Sequence, residues 1–475
     1  MVVWSKEFVA GWGGAMGGVA DVVRPFTVGE IEEVFASAAR EGKCVALRGS
    51  GCSYGDAATN TGGRVLDLSQ MDRILAFDPE RGIARVEPGV RIRDIWRIGI
   101  RHGWWPAVVP GTMEVSVGGA AAMNVHGKNN FAVGSFGEHV LGFSLLTPGG
   151  ETLVCDRERN ADVFHAAIAG FGMLGCFTEL TIHLKKVHSG RLRCWAIPTA
   201  NLEDSVRRLE DNAAGADYLV GWIDLHARGS ALGRGLLHRG DLLEEGEDPE
   251  GESFLYADRQ ELPTSLFHVV PKGWLWPAMW GAYQLGMTGL INTAKWHMGF
   301  SEARHSPYLQ THGAFHFLLD YVPRWHWMVK PGGLIQFQPF VPIDRSLEVF
   351  RSMIETSHRA GFLPYLGVLK KHRPDPFLMT HAVDGYSLAM EFGVSMDPRK
   401  RRALWDLTHR LADLVLDAGG RFYYAKDSTL LPHAFERVHG REAAARFRAM
   451  KQRLDPDHLL QTDLSRRVMA DPSPS

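Results

Sequence analysis

The segment "RGSGCSYGD", residues 48–56, concentrates residue types suited to anion binding and to nucleophilic chemistry. Gly51-Cys52-Ser53-Tyr54-Gly55 matches the G-x-S-x-G nucleophile elbow of hydrolases letter for letter. An elbow needs a strand before its serine and a helix directly after it. The strand-like "KCVALRG" precedes the segment, but "DAATNTGGRVLDLS", a turn and another strand-like run, follows it. A serine hydrolase with Ser53 as nucleophile is therefore the remote alternative. Glycines at 49, 51 and 55 instead let backbone N–H groups converge on an anion, with hydroxyls from Ser50, Ser53 and Tyr54. The absence of a following Gly-Lys-Ser/Thr excludes a P-loop, and the missing helix disfavours a nicotinamide-type Rossmann fold.

A second stretch, "PGTMEVSVGGAAAMNVHGKNN", is too rich in small residues for an ordinary core helix. Its Gly118, Gly119, Ala120, Ala121 and Ala122 permit close backbone approach to a bulky planar ligand, or simply tight packing. Two such loops in one region suit an extended dinucleotide.

The elements that must hold these loops alternate in type. "GRVLDLS" and "IARVEPGV" read as strands. "RIRDIWRIGIRHG" carries Ile92, Ile95, Trp96 and Ile100 at helical spacing and stops at Gly103. "HVLGFSLLTPGGETLVCD" reads as a hairpin, followed by the helix-like "DVFHAAIAG" and the strand-like "CFTELTIHLKKV". Near residue 190 the character changes: an amphipathic helix, an acidic loop, strand-like "GLIQFQPFV", "YLGVLKKH" and "YSLAMEFGV", a helix from Asp397-Pro398 to Gly419-Gly420, then "RFYYAKDS" as one more strand. This mixture predicts an α+β chain with domains at 1–188 and 189–419 and a C-terminal segment, 420–475, that returns to the first.

At 475 residues and net charge -2, with no concentrated basic face, the chain has no footprint for nucleic acid. No run is long and apolar enough to span a bilayer, and the N-terminus lacks a signal-peptide pattern, so a cytoplasmic location is expected. The five cysteines are never in C-x-x-C spacing, which predicts free, buried thiols; no metal site is signalled.

"RGSGCSYGD", "PGTMEVSVGGAAAMNVHGKNN" with "GSFGEHV", and "RFYYAKDS" together resemble the vanillyl-alcohol-oxidase-type (PCMH-type) FAD flavoproteins, most closely the decaprenylphosphoryl-ribose oxidase group. The resemblance implies a two-subdomain FAD-binding domain and a substrate domain on an antiparallel sheet with flanking helices. It implies that Gly49, Ser50, Gly51, Cys52, Ser53 and Tyr54 hold the FAD pyrophosphate. Pro110, Gly111, Thr112, Gly118, Gly119, Met123, Asn124, His126 and Gly127 would line the flavin and its ribityl chain, with Tyr423 beside them. Lys426 would sit by the reacting carbon, with Tyr54 and His126 as further catalytic residues. Lys128, His316, Gln336, Gln338, Lys370 and Ser387 would bind substrate hydroxyls and phosphate.

The implied reaction is hydride transfer from a secondary alcohol of a lipid-linked, polyprenyl-phosphate sugar to FAD. A separate short-chain reductase would complete an epimerisation. The same scaffold also resembles FAD-dependent reductases of lipid or sterol C=C bonds that use NAD(P)H. Many flavoproteins of this superfamily bond FAD covalently through a histidine where Cys52 stands, whereas the group resembled most binds FAD without a covalent bond. The tryptophan- and methionine-rich segment 267–300 reads either as interface packing or as an amphipathic lid for a lipid tail or a membrane surface.

Overall fold

A computed structural model describes residues 3–266 and 270–469; positions 267–269, at the start of the aromatic segment, lie outside the described residues. The N-terminal half holds two sheets. In the first, strands Ser5–Ala10, Gly17–Val23, Arg64–Asp67 and Val45–Arg48 lie side by side in that order. The last three run parallel. Helix Val28–Glu41 covers them, its start fixed by a Thr27/Glu30 capping box and its end by Gly42. Its apolar stripe (Ile31, Val34, Phe35, Ala38) buries against Val45 and Leu66. The segment 49–63 thus leaves the carboxyl end of a buried parallel strand, where open sheets of this type place ligands.

The second sheet is antiparallel: Ile74–Asp78, Ile83–Val86, Cys176–Lys186, Val140–Leu146 and Thr152–Asp156, with Trp104–Pro106 paired to the long strand's end. Against expectation, the small-residue stretch does form a helix, Val117–Ala122. Its small side chains are what let it pack so closely: a Cβ on Gly118 would stand 2.7 Å from Pro88 Cβ.

The third sheet has nine strands, all antiparallel pairs, spanning residues 191–422. Helices Leu202–Ala213, Ile343–Arg359 and Pro398–Asp417 pack on one face, while residues of the opposite face line the central cavity. Two sequence expectations need correction. "GLIQFQPFV" is two strands, Leu334–Phe337 and Pro339–Pro342, broken at Gln338. In "RFYYAKDS" only Arg421–Phe422 is strand, and it still belongs to the nine-stranded sheet. The chain then turns, because Tyr423 C=O accepts from both Lys426 N–H (2.9 Å) and Asp427 N–H (3.1 Å).

From there the chain returns to the first half. Val45 N–H donates to Leu459 C=O and Gln461 N–H to Val45 C=O. Arg467 bridges the buried Asp56 (2.8 Å) and Asp427 (2.9 Å), tying the final helix to the 48–56 loop and the lysine turn together.

Helices Leu275–Gln284 and Thr288–Arg304 pack partly and stay partly bare. Trp296 joins Trp222, Ala196 and Leu236, whereas Trp274, Leu285, Leu290 and Met298 are all more than half exposed.

Candidate active site

One cavity of about 600 Å³ lies between the loops of the first half and the nine-stranded sheet. Residues 48–54 form one wall, Pro110–Thr112, Gly118, Gly119, Met123 and His126 the next, and Lys128, His316, Gln336, Gln338, Lys370, Tyr423 and Lys426 close it. Three positions of the sequence reading fall elsewhere. Asn124, at φ +46°, spends its amide on Asp375 (2.8 Å) and on Gly137 N–H (2.9 Å). Gly127 packs against Asn129. Ser387 lies behind the wall, bonded to His372 Nε2 (2.8 Å) and Gln338 (3.4 Å).

The first loop is shaped as an anion cradle. Gly51 has φ +70°, and a Cβ there would meet Arg48 Nη2 at 2.2 Å, so glycine both permits the turn and leaves room for the guanidinium. Among the described residues the N–H groups of Gly51, Cys52 and Ser53 find no acceptor. Ser50 Oγ accepts from Ser116 N–H (2.9 Å), lacing the loop to the small-residue helix. Arg48, which also lines the cavity, escaped the sequence reading although it heads the quoted motif. Burial lowers its pKa, and among the described residues its only side-chain bond runs to Ala58 C=O (3.1 Å).

His126 adds an unmet donor. Burial holds its pKa well below the usual value, so the ring is neutral. Gln338 Nε2 donates to its Nε2 (3.1 Å), which leaves the proton on Nδ1, and that buried atom has no partner among the described residues. Free amides, a guanidinium, a neutral imidazole N–H and small-residue walls are the donor set a pyrophosphate and a polar-edged ring system require. The residues present therefore fit FAD.

Opposite the cradle stands a polar cluster. Lys426 Nζ lies 3.4 Å from the centre of the Tyr54 ring, and Tyr54 Oη donates to Glu391 Oε1 (3.2 Å). Gln336 Nε2 donates to the same oxygen. Burial pushes Glu391 up to about 7, and burial likewise pulls Lys426 down to about 7, while Glu391 opposes that fall. Burial also raises Tyr54, so it stays a phenol and a donor. Glu391 is the principal residue the sequence reading missed. Its strand alternation in "YSLAMEF" put it on the same face as Ala389, and that was the available signal.

The remaining cations differ in how free they are. Lys128 donates to Phe315 C=O and lies over that ring; burial pulls it down to about 7. Lys370, pulled down to about 8 by burial, has no bonded partner among the described residues. His316 is neutral through burial, and among the described residues both its ring nitrogens lack hydrogen-bond partners. Among the described residues Ser53 makes no hydrogen bond to a histidine, and the chain after Gly55 is turn and strand, which removes the elbow geometry.

Residues 19–156 match the FAD-binding domain family. Decaprenylphosphoryl-beta-D-ribose oxidase of Mycolicibacterium smegmatis is 28% identical, with 96% of each chain covered. L-gulonolactone oxidase of Bos taurus is 24% identical over 91% of each chain. L-galactono-1,4-lactone dehydrogenase 1 of Oryza sativa subsp. japonica is 31% identical over 32% of this chain and 26% of its own. The matched residues carry the cradle, and the chain is an FAD-dependent oxidoreductase with an FAD-binding domain over residues 19–156.

Proposed function

We propose that the protein oxidises a secondary alcohol of a lipid-linked, polyprenyl-phosphate sugar to a ketone. The observation that carries this reading is the continuity of the cavity. It runs from the cradle and Lys426 to Ile291 and Lys295 on the helix that bears the exposed apolar residues Leu290 and Met298. A polar head can reach Lys426 while an apolar tail lies along that helix. The name of the Mycolicibacterium relative, which covers the same length, points the same way.

FAD, bound non-covalently, would supply the acceptor for the hydride, with its two electrons, that leaves the carbinol carbon. The chain's residues handle the proton and the geometry. Lys426, with its pKa brought near neutrality, takes the hydroxyl proton as a neutral amine and then carries the positive charge that the site needs. Tyr54 and Gln336 hold the Glu391 carboxyl in place. Glu391 in turn sets the charge of Lys426. Gln338, Lys370 and His316 face the sugar.

Anaerobic mixing of the flavin-loaded enzyme with polyprenyl-phosphate pentoses, simple alditols and NAD(P)H tests the reading. Bleaching of the flavin band by the prenyl-phosphate sugar alone is expected. Bleaching by NAD(P)H, with reoxidation by an unsaturated lipid, would replace it with alkene reduction.

A further inference from the structure

Helix Thr288–Arg304 is built inside out. Its polar groups face the protein: Asn292 is buried and donates to Asp224 (3.0 Å), and Thr293 Oγ1 accepts from Arg234 (2.7 Å). Trp296 Nε1 donates to Thr199 C=O (2.9 Å) on the same side. Met287, just before the helix, and Leu290, Ile291, Ala294 and Met298 within it recur at spacings of three and four. That spacing puts them on one arc about 100° wide and about 17 Å long, and all five are exposed. A helix that borders water carries the opposite pattern.

Helix Leu275–Gln284 extends this surface. It contains no charged residue, and none of its residues is fully buried. Trp274 before it is 72% exposed and Leu285 after it 76%. The charges around the two helices have one sign. From Pro263 to Ser301 the sequence holds no aspartate or glutamate. Arg304 ends the second helix, while Arg324 and Lys330 lie over Trp327 (4.6 and 3.6 Å to its ring centre), which meets Trp276 of the first helix edge-on. All three cations are exposed, and among the described residues none has a carboxylate within ion-pair distance.

We propose that these two helices, with Arg304, Arg324 and Lys330, dock the protein on a bilayer surface that carries anionic lipid. Apolar side chains enter the headgroup boundary, indole rings suit that boundary, and unpaired cations meet the lipid phosphates. The helices lie in the interface, since among the described residues no helix is long and apolar enough to cross a membrane. The cavity decides between a lipid surface and a protein partner. Ile291 is both exposed and part of the cavity wall, so the mouth opens through the docking face itself. A rigid partner on that face would plug the mouth, whereas a fluid lipid surface leaves it open. The docking does not rest on the identity of the molecule that is oxidised.

Co-sedimentation of the flavin-loaded enzyme with vesicles tests the docking, using phosphatidylcholine alone and its equimolar mixture with phosphatidylglycerol. Binding to the mixed vesicles is expected to be at least about fivefold tighter. Leu290→Gln combined with Met298→Gln should weaken binding to both vesicles at least about tenfold. Arg324→Gln combined with Lys330→Gln should remove most of the preference for the mixed vesicles and leave binding to phosphatidylcholine unchanged. Leu141→Gln, at an exposed leucine on strand Val140–Leu146, should bind as wild type. Every variant should keep its flavin and thermal midpoint, because none of the altered side chains is buried. Wild-type enzyme that stays in the supernatant with both vesicles overturns the proposal, as does a Leu290/Met298 variant that pellets like wild type. A dimer in light scattering that the same two substitutions make monomeric, with no vesicle binding, would assign the face to a second copy of the chain instead. The two readings separate cleanly. Vesicle binding by an enzyme that oxidises no sugar alcohol supports the docking and defeats the reaction, whereas sugar-alcohol oxidation without vesicle binding defeats the docking alone.

Discussion

In the proposed reaction the chemistry turns on one lysine and the carboxyl beside it. Burial lowers the Lys426 pKa, and Glu391 works against that loss by favouring the charged form. A lysine that must accept a proton is active when deprotonated, so anaerobic flavin reduction by substrate should rise with pH through the neutral region and then level off. Glu391→Gln keeps an oxygen for Tyr54 and Gln336 but removes the charge that holds the ammonium. The Lys426 pKa then falls further, and the midpoint of the rise should move to lower pH; an unmoved midpoint in a reduction-rate profile would exclude Glu391 from that role. Lys426→Met should slow reduction by about 10²–10⁴-fold while retaining bound flavin. The other residue of consequence is Cys52. Burial raises its thiol pKa, and its weak contacts are with Ser50 (3.6 and 3.9 Å), so little thiolate is available for a bond to flavin. Acid precipitation should leave the flavin in the supernatant, read by its absorbance; flavin retained in the pellet would make Cys52 the attachment point.

At the scale of elements, the loop and the lysine turn are held in register by the returning C-terminal helix. Arg467 joins Asp56 and Asp427, and both carboxylates are buried. Removing the guanidinium leaves both unpaired, so Arg467→Met should cost about 3–5 kcal/mol in denaturant unfolding and reduce the flavin-to-protein ratio. A wild-type unfolding midpoint would show the clamp to be dispensable. This clamp was not legible in the sequence, because its partners are separated by hundreds of positions and each reads alone as an ordinary surface charge. What was legible rested on local spacing. Ile92, Ile95, Trp96 and Ile100 gave a helix that the structure contains as Ile92–Gly99 with a short 3₁₀ extension. The glycine pattern gave a loop rather than a helix after Val45–Arg48. Local spacing failed where tertiary contacts decide. Gln338 breaks a run that alternates like one strand, and Tyr423–Lys426 turns where aliphatic and aromatic residues suggested extension, since Ala425 C=O is needed by Tyr54 N–H (2.8 Å). Glu391 went unread for a related reason: an acidic residue in a strand signals catalysis only once its neighbours across the sheet are known.

At the scale of the whole molecule, the two halves contribute different parts of one cavity: the cradle from the first, Gln336, Lys370 and Glu391 from the nine-stranded sheet, and Lys426 from the turn that follows its last strand. In the aromatic segment that sequence left as either packing or lid, Trp296 packs on the sheet while Trp274, Leu285 and Met298 stay exposed. Among the described residues no helix is long and apolar enough to cross a membrane. The exposed residues beside the cavity are where the lipid part of a substrate would lie. The reaction assigned to this arrangement breaks one carbinol C–H bond of the sugar. Its most direct test is anaerobic flavin bleaching by a prenyl-phosphate pentose deuterated at one carbinol carbon at a time. Slowed bleaching for a single labelled position is the predicted result, with Lys426→Met bleaching slower still by about 10²–10⁴-fold. Bleaching indifferent to every label, or achieved only by NAD(P)H, would contradict it.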